Sequence, residues 1–146
     1  ISAFQAAAAK ISAELTIPQL VQTIILTRVD GVASQMPSSE KLDKLAAHQS
    51  SLCLYLAARH AEKSQIELLK HYPSDTPVAI CFRVSWPDEV IKIVPLEKMA
   101  EVTQKEKLVR TTLYIISPAL KKNIDTRSKL YHPDYNHLFR PEKKNI

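Results

Sequence analysis

Gly31 is the only glycine in a chain of 146 residues, against the roughly ten that average usage would supply. Glycine is the residue that lets backbone come close to a phosphate or a cofactor, because it has no Cβ to collide. A chain with one glycine cannot build a glycine-rich phosphate cradle or a dinucleotide-binding turn of the G-x-G-x-x-G type. Nor can it form the glycine-flanked elbow that exposes a hydrolytic serine, so Ser2, Ser51, Ser85 and Ser117 carry no nucleophile signature. This one count excludes glycine-loop nucleotide binding and leaves serine-hydrolase chemistry unsupported.

The remaining composition is that of a folded domain. With 45% hydrophobic and 24% charged residues the chain is long enough to bury one core. No stretch approaches the roughly 20 uninterrupted apolar residues of a membrane helix, and the chain reads as soluble. Cys53 and Cys81 each stand inside an apolar run, which suggests buried thiols in a reducing compartment rather than a metal site. The five histidines, His48, His60, His71, His132 and His137, have no second ligand at metal spacing, and none is taken as a metal ligand. Residues 121–146 hold seven Lys/Arg against three Asp/Glu, so most of the formal net charge of +5 belongs to the tail. A basic tail is compatible with nucleic acid, but the body lacks interleaved aromatics and arginines, and an acidic small molecule explains the charge equally well.

Along the chain, residues 1–15 predict a helix with Phe4, Ala7, Ala8 and Ile11 on one face, ended by Thr16-Ile17-Pro18. No initiator Met or cap precedes it, which suggests a piece of something longer. Val21 to Val29 is rich in Val, Ile and Thr and predicts a strand, followed by a turn at Asp30-Gly31. Pro37-Ser38-Ser39-Glu40 is a helix start, with Leu42, Leu45 and Ala46 as the apolar stripe. Ser51 to Leu56 is a short strand, and Glu62 to Tyr72 a helix with Ile66, Leu69 and Tyr72 inward. The unbroken apolar run Val78 to Phe82 predicts a strand buried on both faces. Trp86-Pro87-Asp88-Glu89 turns the chain into a hairpin partner at Val90 to Val94. A helix over Leu96 to Lys105, with Leu96, Met99, Ala100 and Val102 inward, and a last strand over Thr111 to Ser117 complete the set. The expected fold is α/β, a mixed sheet of about five strands flanked by helices.

No protein nucleophile or metal emerges, which leaves transfer chemistry in which the enzyme mainly holds donor and acceptor in line. Several segments together resemble the tetrapyrrole (corrin/porphyrin) methylase family. They are Ile1-Ser2-Ala3-Phe4 with its alanines, Thr16-Ile17-Pro18 and Ile24-Ile25-Leu26-Thr27-Arg28, Asp75-Thr76-Pro77-Val78-Ala79, Arg83-Val84-Ser85-Trp86-Pro87-Asp88-Glu89, and Arg110-Thr111-Thr112-Leu113. The tail from Ser128-Lys129-Leu130-Tyr131-His132-Pro133 to Phe139-Arg140 is similar to the branch that methylates C11 of precorrin-4 or cobalt-precorrin-4. The resemblance implies a two-domain, cytoplasmic, homodimeric enzyme of cobalamin synthesis. In it S-adenosylmethionine lies between the domains, a corrinoid substrate occupies an adjoining trough, and neither nucleic acid nor membrane is a partner. On that view residues 1–16 are the last helix of an N-terminal domain that carries the family's glycine-rich segments. Residues 17–146 are the C-terminal domain with its basic tail, and apolar surface left by the absent half would promote self-association.

The resemblance also maps cofactor contacts onto Ser2, Ala3, Leu56, Val84 and Thr112. Ser2 and Ala3 stand at a helix start with free N–H groups, although a plain N-cap serine accounts for Ser2 as well. Leu56 ends a strand where the family often has methionine, and an ordinary core role competes with that one. Val84 and Thr112 would give backbone contacts to adenosine or serve only as sheet residues. Arg28 and Arg83 close their strands and could form bidentate pairs with substrate carboxylates, solvation being the rival reading. No residue is assigned a catalytic role. A non-catalytic α/β module binding an anionic ligand or nucleic acid through the tail is the alternative function.

Overall fold

A computed structural model of the chain describes residues 1–121. The tail motif, the basic segment beyond Lys121, His132 and His137 lie outside the described residues.

Five strands form one mixed sheet: β1 (Ile24–Arg28), β2 (Ser51–Tyr55), β3 (Pro77–Phe82), β4 (Val90–Pro95) and β5 (Thr112–Ile116). The order across the sheet is β1-β2-β5-β3-β4. β1 and β2 are parallel; β5 runs antiparallel to both of its neighbours, β2 and β3, and β4 is antiparallel to β3. The α/β class, the strand count and the mixed sheet agree with expectation. In β3 the residues Val78, Ala79, Ile80 and Cys81 are all buried, because the sheet is covered on both sides.

Period-two alternation sorts the strand residues between two cores. Leu52, Leu54, Val78, Ile80, Tyr114 and Ile116 face α2 (Leu42–Ala46), α3 (Ala61–Leu69) and α4 (Met99–Lys105). Cys53, Ala79, Cys81, Leu113 and Ile115 face the opposite way, onto α1 (Ala3–Lys10), Leu15 and Leu120. Ala7 of α1 is fully buried against that second face, so the helix is part of this core. Buried hydroxyls tie the layers together, with Ser51 Oγ donating to the Leu15 carbonyl at 2.5 Å and sharing a 2.6 Å hydrogen bond with Ser117 Oγ.

Three helix expectations are corrected. α1 stops at Lys10 instead of running to Leu15, because Ser12 takes a left-handed φ of 52° and closes a Schellman motif. Ser12 N–H reaches the Ala9 carbonyl at 3.2 Å and Ala13 N–H the Ala8 carbonyl at 3.0 Å. In α3 the buried side is Ala61, Ser64 and Leu68 with Tyr72 beyond its end, while Ile66 points to solvent. The helix before β2 is also split, into a 3-10 turn at Ser38–Glu40 and α2, by an extended Lys41 whose Nζ pairs with Asp30 at 2.7 Å.

Glycine scarcity has a structural counterpart. Among the described residues, eight non-glycine residues hold positive φ, whereas Gly31 does not, and a Cβ at Gly31 would meet nothing closer than 3.7 Å. Lys107, at φ 53°, ends α4 by the same motif as Ser12, with Leu108 N–H on the Thr103 carbonyl at 3.0 Å. A left-handed residue with a Cβ costs roughly 1–2 kcal/mol, part of which glycine loses again through its larger unfolded-state entropy. Ser12→Gly and Lys107→Gly are therefore each expected to raise unfolding stability by about 0.5–1 kcal/mol. Urea denaturation should show higher midpoints at unchanged slope; unchanged or lower midpoints would refute the strain.

Candidate functional site

β1, β2 and β3 point the same way and β5 points against them, so the ends of β2 and β3 and the start of β5 meet at one edge of the sheet. Open α/β sheets bind ligands outside the carboxyl ends of their parallel strands, where successive connections diverge. Here that edge opens into a cavity of about 540 Å³. Its floor and sides include Tyr55 ending β2 and Leu56 just after it, Cys81 near the end of β3 and Val84 just beyond it, and Thr112 and Leu113 opening β5. Ala3, at the start of α1, closes the side toward the second face.

Ala3, Leu56, Val84 and Thr112, which lie far apart in sequence, are thus brought together on one cavity. Ser2 stands beside it as the N-cap of α1, its N–H bonded to Gln5 Oε1 at 3.1 Å. Leu56 has its backbone at φ 57° and is 74% exposed, a combination that folding alone does not reward. Thr112 is buried and its hydroxyl donates to the Arg110 carbonyl at 3.0 Å, which leaves its backbone as the group available to a ligand. Positive φ recurs around the same edge at Arg83, Ser85 and Thr111. For β-branched Thr111 this is an outlier, of the kind that gathers at ligand clamps.

Both arginines read from the sequence are engaged inside the chain. Arg28 donates to the carbonyls of Val29 and Ser34, each at 3.0 Å, and to Ser34 Oγ at 2.7 Å. It borders a shallower depression of about 350 Å³ that adjoins the main cavity through Tyr55 and Leu56. Arg83 pairs with Asp88 and lies over the Trp86 ring, 4.4 Å from its centroid. The turn that carries this stack is pinned by Glu89, which accepts from the Ser85 N–H at 2.6 Å and pairs with Lys10 of α1 at 3.4 Å. The Ser85 amide and Lys10 hold the Glu89 carboxyl below its usual range.

The sequence reading missed Arg59, His60, Trp86 and Arg110 as wall residues. The available signal was position: each follows or precedes a strand end on the same edge. Cys81 is at the floor but offers no nucleophile, because burial pushes its thiol up to about 12, as it does for Cys53. Among the described residues no group of three or more metal-binding side chains gathers, and no helix is long and apolar enough to cross a membrane. The arrangement is therefore an apolar slot with backbone polar groups and a cationic rim, suited to holding a ligand.

Comparison with known proteins agrees with this fold. A precorrin-4 C(11)-methyltransferase of Sinorhizobium sp. is 39% identical over 140 residues, covering 96% of this chain and 55% of that protein. The crystal structure of a cobalamin biosynthetic enzyme, cobalt precorrin-4 methyltransferase, superposes with a TM-score of 0.79 at 33% identity, over 83% of this chain and 51% of that one. A uroporphyrin-III C-methyltransferase of Thermus thermophilus, complexed with S-adenosyl homocysteine, shares the fold at a TM-score of 0.63 and 19% identity, over 80% of this chain and 48% of that one. This chain thus spans about half the length of the proteins it matches. The model of the tetrapyrrole (corrin/porphyrin) methylases matches residues 1–100, which include α1, β1 to β4 and most of the cavity wall, and the chain belongs to that family.

Proposed function

We propose that this chain forms one wall of a methyltransferase that transfers a methyl group from S-adenosylmethionine to C11 of a precorrin-4-type corrinoid in cobalamin biosynthesis. The observation that carries the reading is the convergence on a single cavity of Ala3, Leu56, Val84 and Thr112, the positions onto which the family resemblance maps cofactor contacts. S-adenosylmethionine supplies an activated methyl group on a sulfonium, so the protein's own work is to bind, orient and exclude water. Apolar side chains of Leu56, Val84 and Leu113 suit an adenosyl group, and the backbone at Val84 and Thr112 suits its hydrogen-bonding edge. No titratable side chain of the wall is needed to activate a nucleophile.

Residues 1–16 are read as the last helix of an N-terminal domain and 17–146 as the C-terminal domain. The other wall of the cleft then comes from the N-terminal half. Arg28 and Arg83 border the approach of the tetrapyrrole, and Ser2 adds an N–H group at the helix start. The exposed Ile24, Leu26 and Ile93 of the sheet are compatible with a homodimer contact. The setting is that of a cytoplasmic biosynthetic enzyme.

Trp86 is the only tryptophan and lines the cavity, which makes its fluorescence a direct reporter of occupancy. Titrating the chain with S-adenosyl homocysteine should give saturable but weak quenching, and methyl transfer by the chain alone should be negligible, because contacts from two walls contribute jointly to affinity and alignment. Absence of any adenosyl binding would refute the cofactor site. Full turnover by the chain alone would refute the two-wall arrangement. Tight, salt-sensitive binding to generic DNA would favour the module that binds anions through its tail.

A further inference from the structure

We propose that Arg59 and Arg110 form a carboxylate clamp on the rim of the cavity, an assignment that builds on the methyltransferase reading by naming what the rim recognises. The wall carries two arginines and His60 but no aspartate or glutamate. Of the four arginines among the described residues, Arg28 and Arg83 are held by internal partners, whereas Arg59 and Arg110 have no ion pair among those residues. Both are exposed, so the core does not require them. Arg59 lies in the 3-10 turn Ala58–His60 that follows β2, and Arg110 precedes β5; the pairing of β2 with β5 delivers both to the same rim.

An arginine beside a largely apolar slot acts in a lower local dielectric than one on an open surface, which strengthens its attraction for an anion. Its planar fork matches a carboxylate through two parallel N–H···O bonds. Two such forks with no acid among them select a ligand that is apolar in its body and carboxylated at its edge. Carboxylates of this kind occur at the amino-acid end of S-adenosyl homocysteine and on the acid side chains of a tetrapyrrole.

Trp86 fluorescence distinguishes these sources in the chain itself, comparing wild type with R59Q/R110Q. One arm sets S-adenosyl homocysteine against 5′-methylthioadenosine, which lacks the amino-acid end. The other sets uroporphyrin against a tetracationic porphyrin of similar size. The expected result is that the carboxylate-bearing probe of one pair binds at least about tenfold more tightly than its counterpart, and that this preference disappears in the double variant. Loss in the first arm identifies the cofactor's carboxylate, and loss in the second the substrate's. R59K/R110K, which keeps charge without the fork, should recover only part of the preference, and matching far-UV circular dichroism would exclude misfolding. Equal binding of every probe by wild type and double variant overturns the clamp while leaving adenosyl binding, and so the methyltransferase reading, intact. Arginine-dependent uroporphyrin binding without any adenosyl binding overturns the cofactor site and keeps the clamp. Failure of every probe to bind wild type overturns the clamp.

Discussion

Tyr114→Ala is expected to remove a large part of the stability of the chain. Tyr114 is fully buried on the middle strand β5, where it pairs with Leu54 of β2 and Ile80 of β3. Truncating a buried aromatic leaves a void that neighbouring layers fill only in part, at a cost of about 3–5 kcal/mol out of a total near 5–15 kcal/mol. The hydroxyl is a smaller share. Thr103 Oγ1 donates to the Met99 carbonyl at 2.7 Å, which uses its only hydrogen, so in the 2.9 Å contact Tyr114 is the donor. Tyr114→Phe removes that donor but leaves Thr103 bonded to Met99, and should cost only about 1 kcal/mol. Urea denaturation of the two variants measures both. An alanine cost near that of phenylalanine would show that the core is not centred on β5.

The second large effect has opposite signs on stability and on binding. Leu56→Gly is expected to stabilise the chain by about 0.5–1 kcal/mol while weakening adenosyl binding about tenfold or more. The reason is that Leu56 holds a left-handed backbone, φ 57°, yet is 74% exposed, so its side chain contributes little to the core. Strain kept at a position without a packing return fits a ligand wall. Leu56→Met keeps a long apolar side chain and should bind nearly as well as wild type. Denaturation midpoints read the first effect, and Trp86 quenching by S-adenosyl homocysteine the second. Unchanged affinity in the glycine variant would remove Leu56 from the wall.

Much of the architecture was legible in local patterns. Each of the five strands was announced by a run of apolar or β-branched residues, and the Trp86 to Glu89 turn announced the β3–β4 hairpin, because both signals act over a few neighbouring residues. Helix ends were less legible. Ser12 closes α1 in a conformation that normally calls for glycine, so the usual stop signal was missing there, whereas the end of α4 at Lys105 was read correctly although Lys107 closes it the same way. The inward face of α3 was misread at Ile66 because its aliphatic side chain looks like core in a linear pattern, while the sheet selects Ala61, Ser64 and Leu68.

Gly31 as the sole glycine, and the apolar runs, determined by themselves that this is a layered α/β chain without a phosphate loop or a serine elbow, since each feature acts through the covalent geometry of adjacent residues. The resemblance of scattered segments added Leu56, Val84 and Thr112 as positions of interest. Only the tertiary structure decided that β5 inserts between β2 and β3, which is a pairing across some sixty residues of chain on the β2 side. That insertion brings Arg59 and Arg110 to one rim and leaves Arg28 and Arg83 bonded to their own loops. A side chain's partner is set by register and burial between distant strands, and no local pattern carries that information.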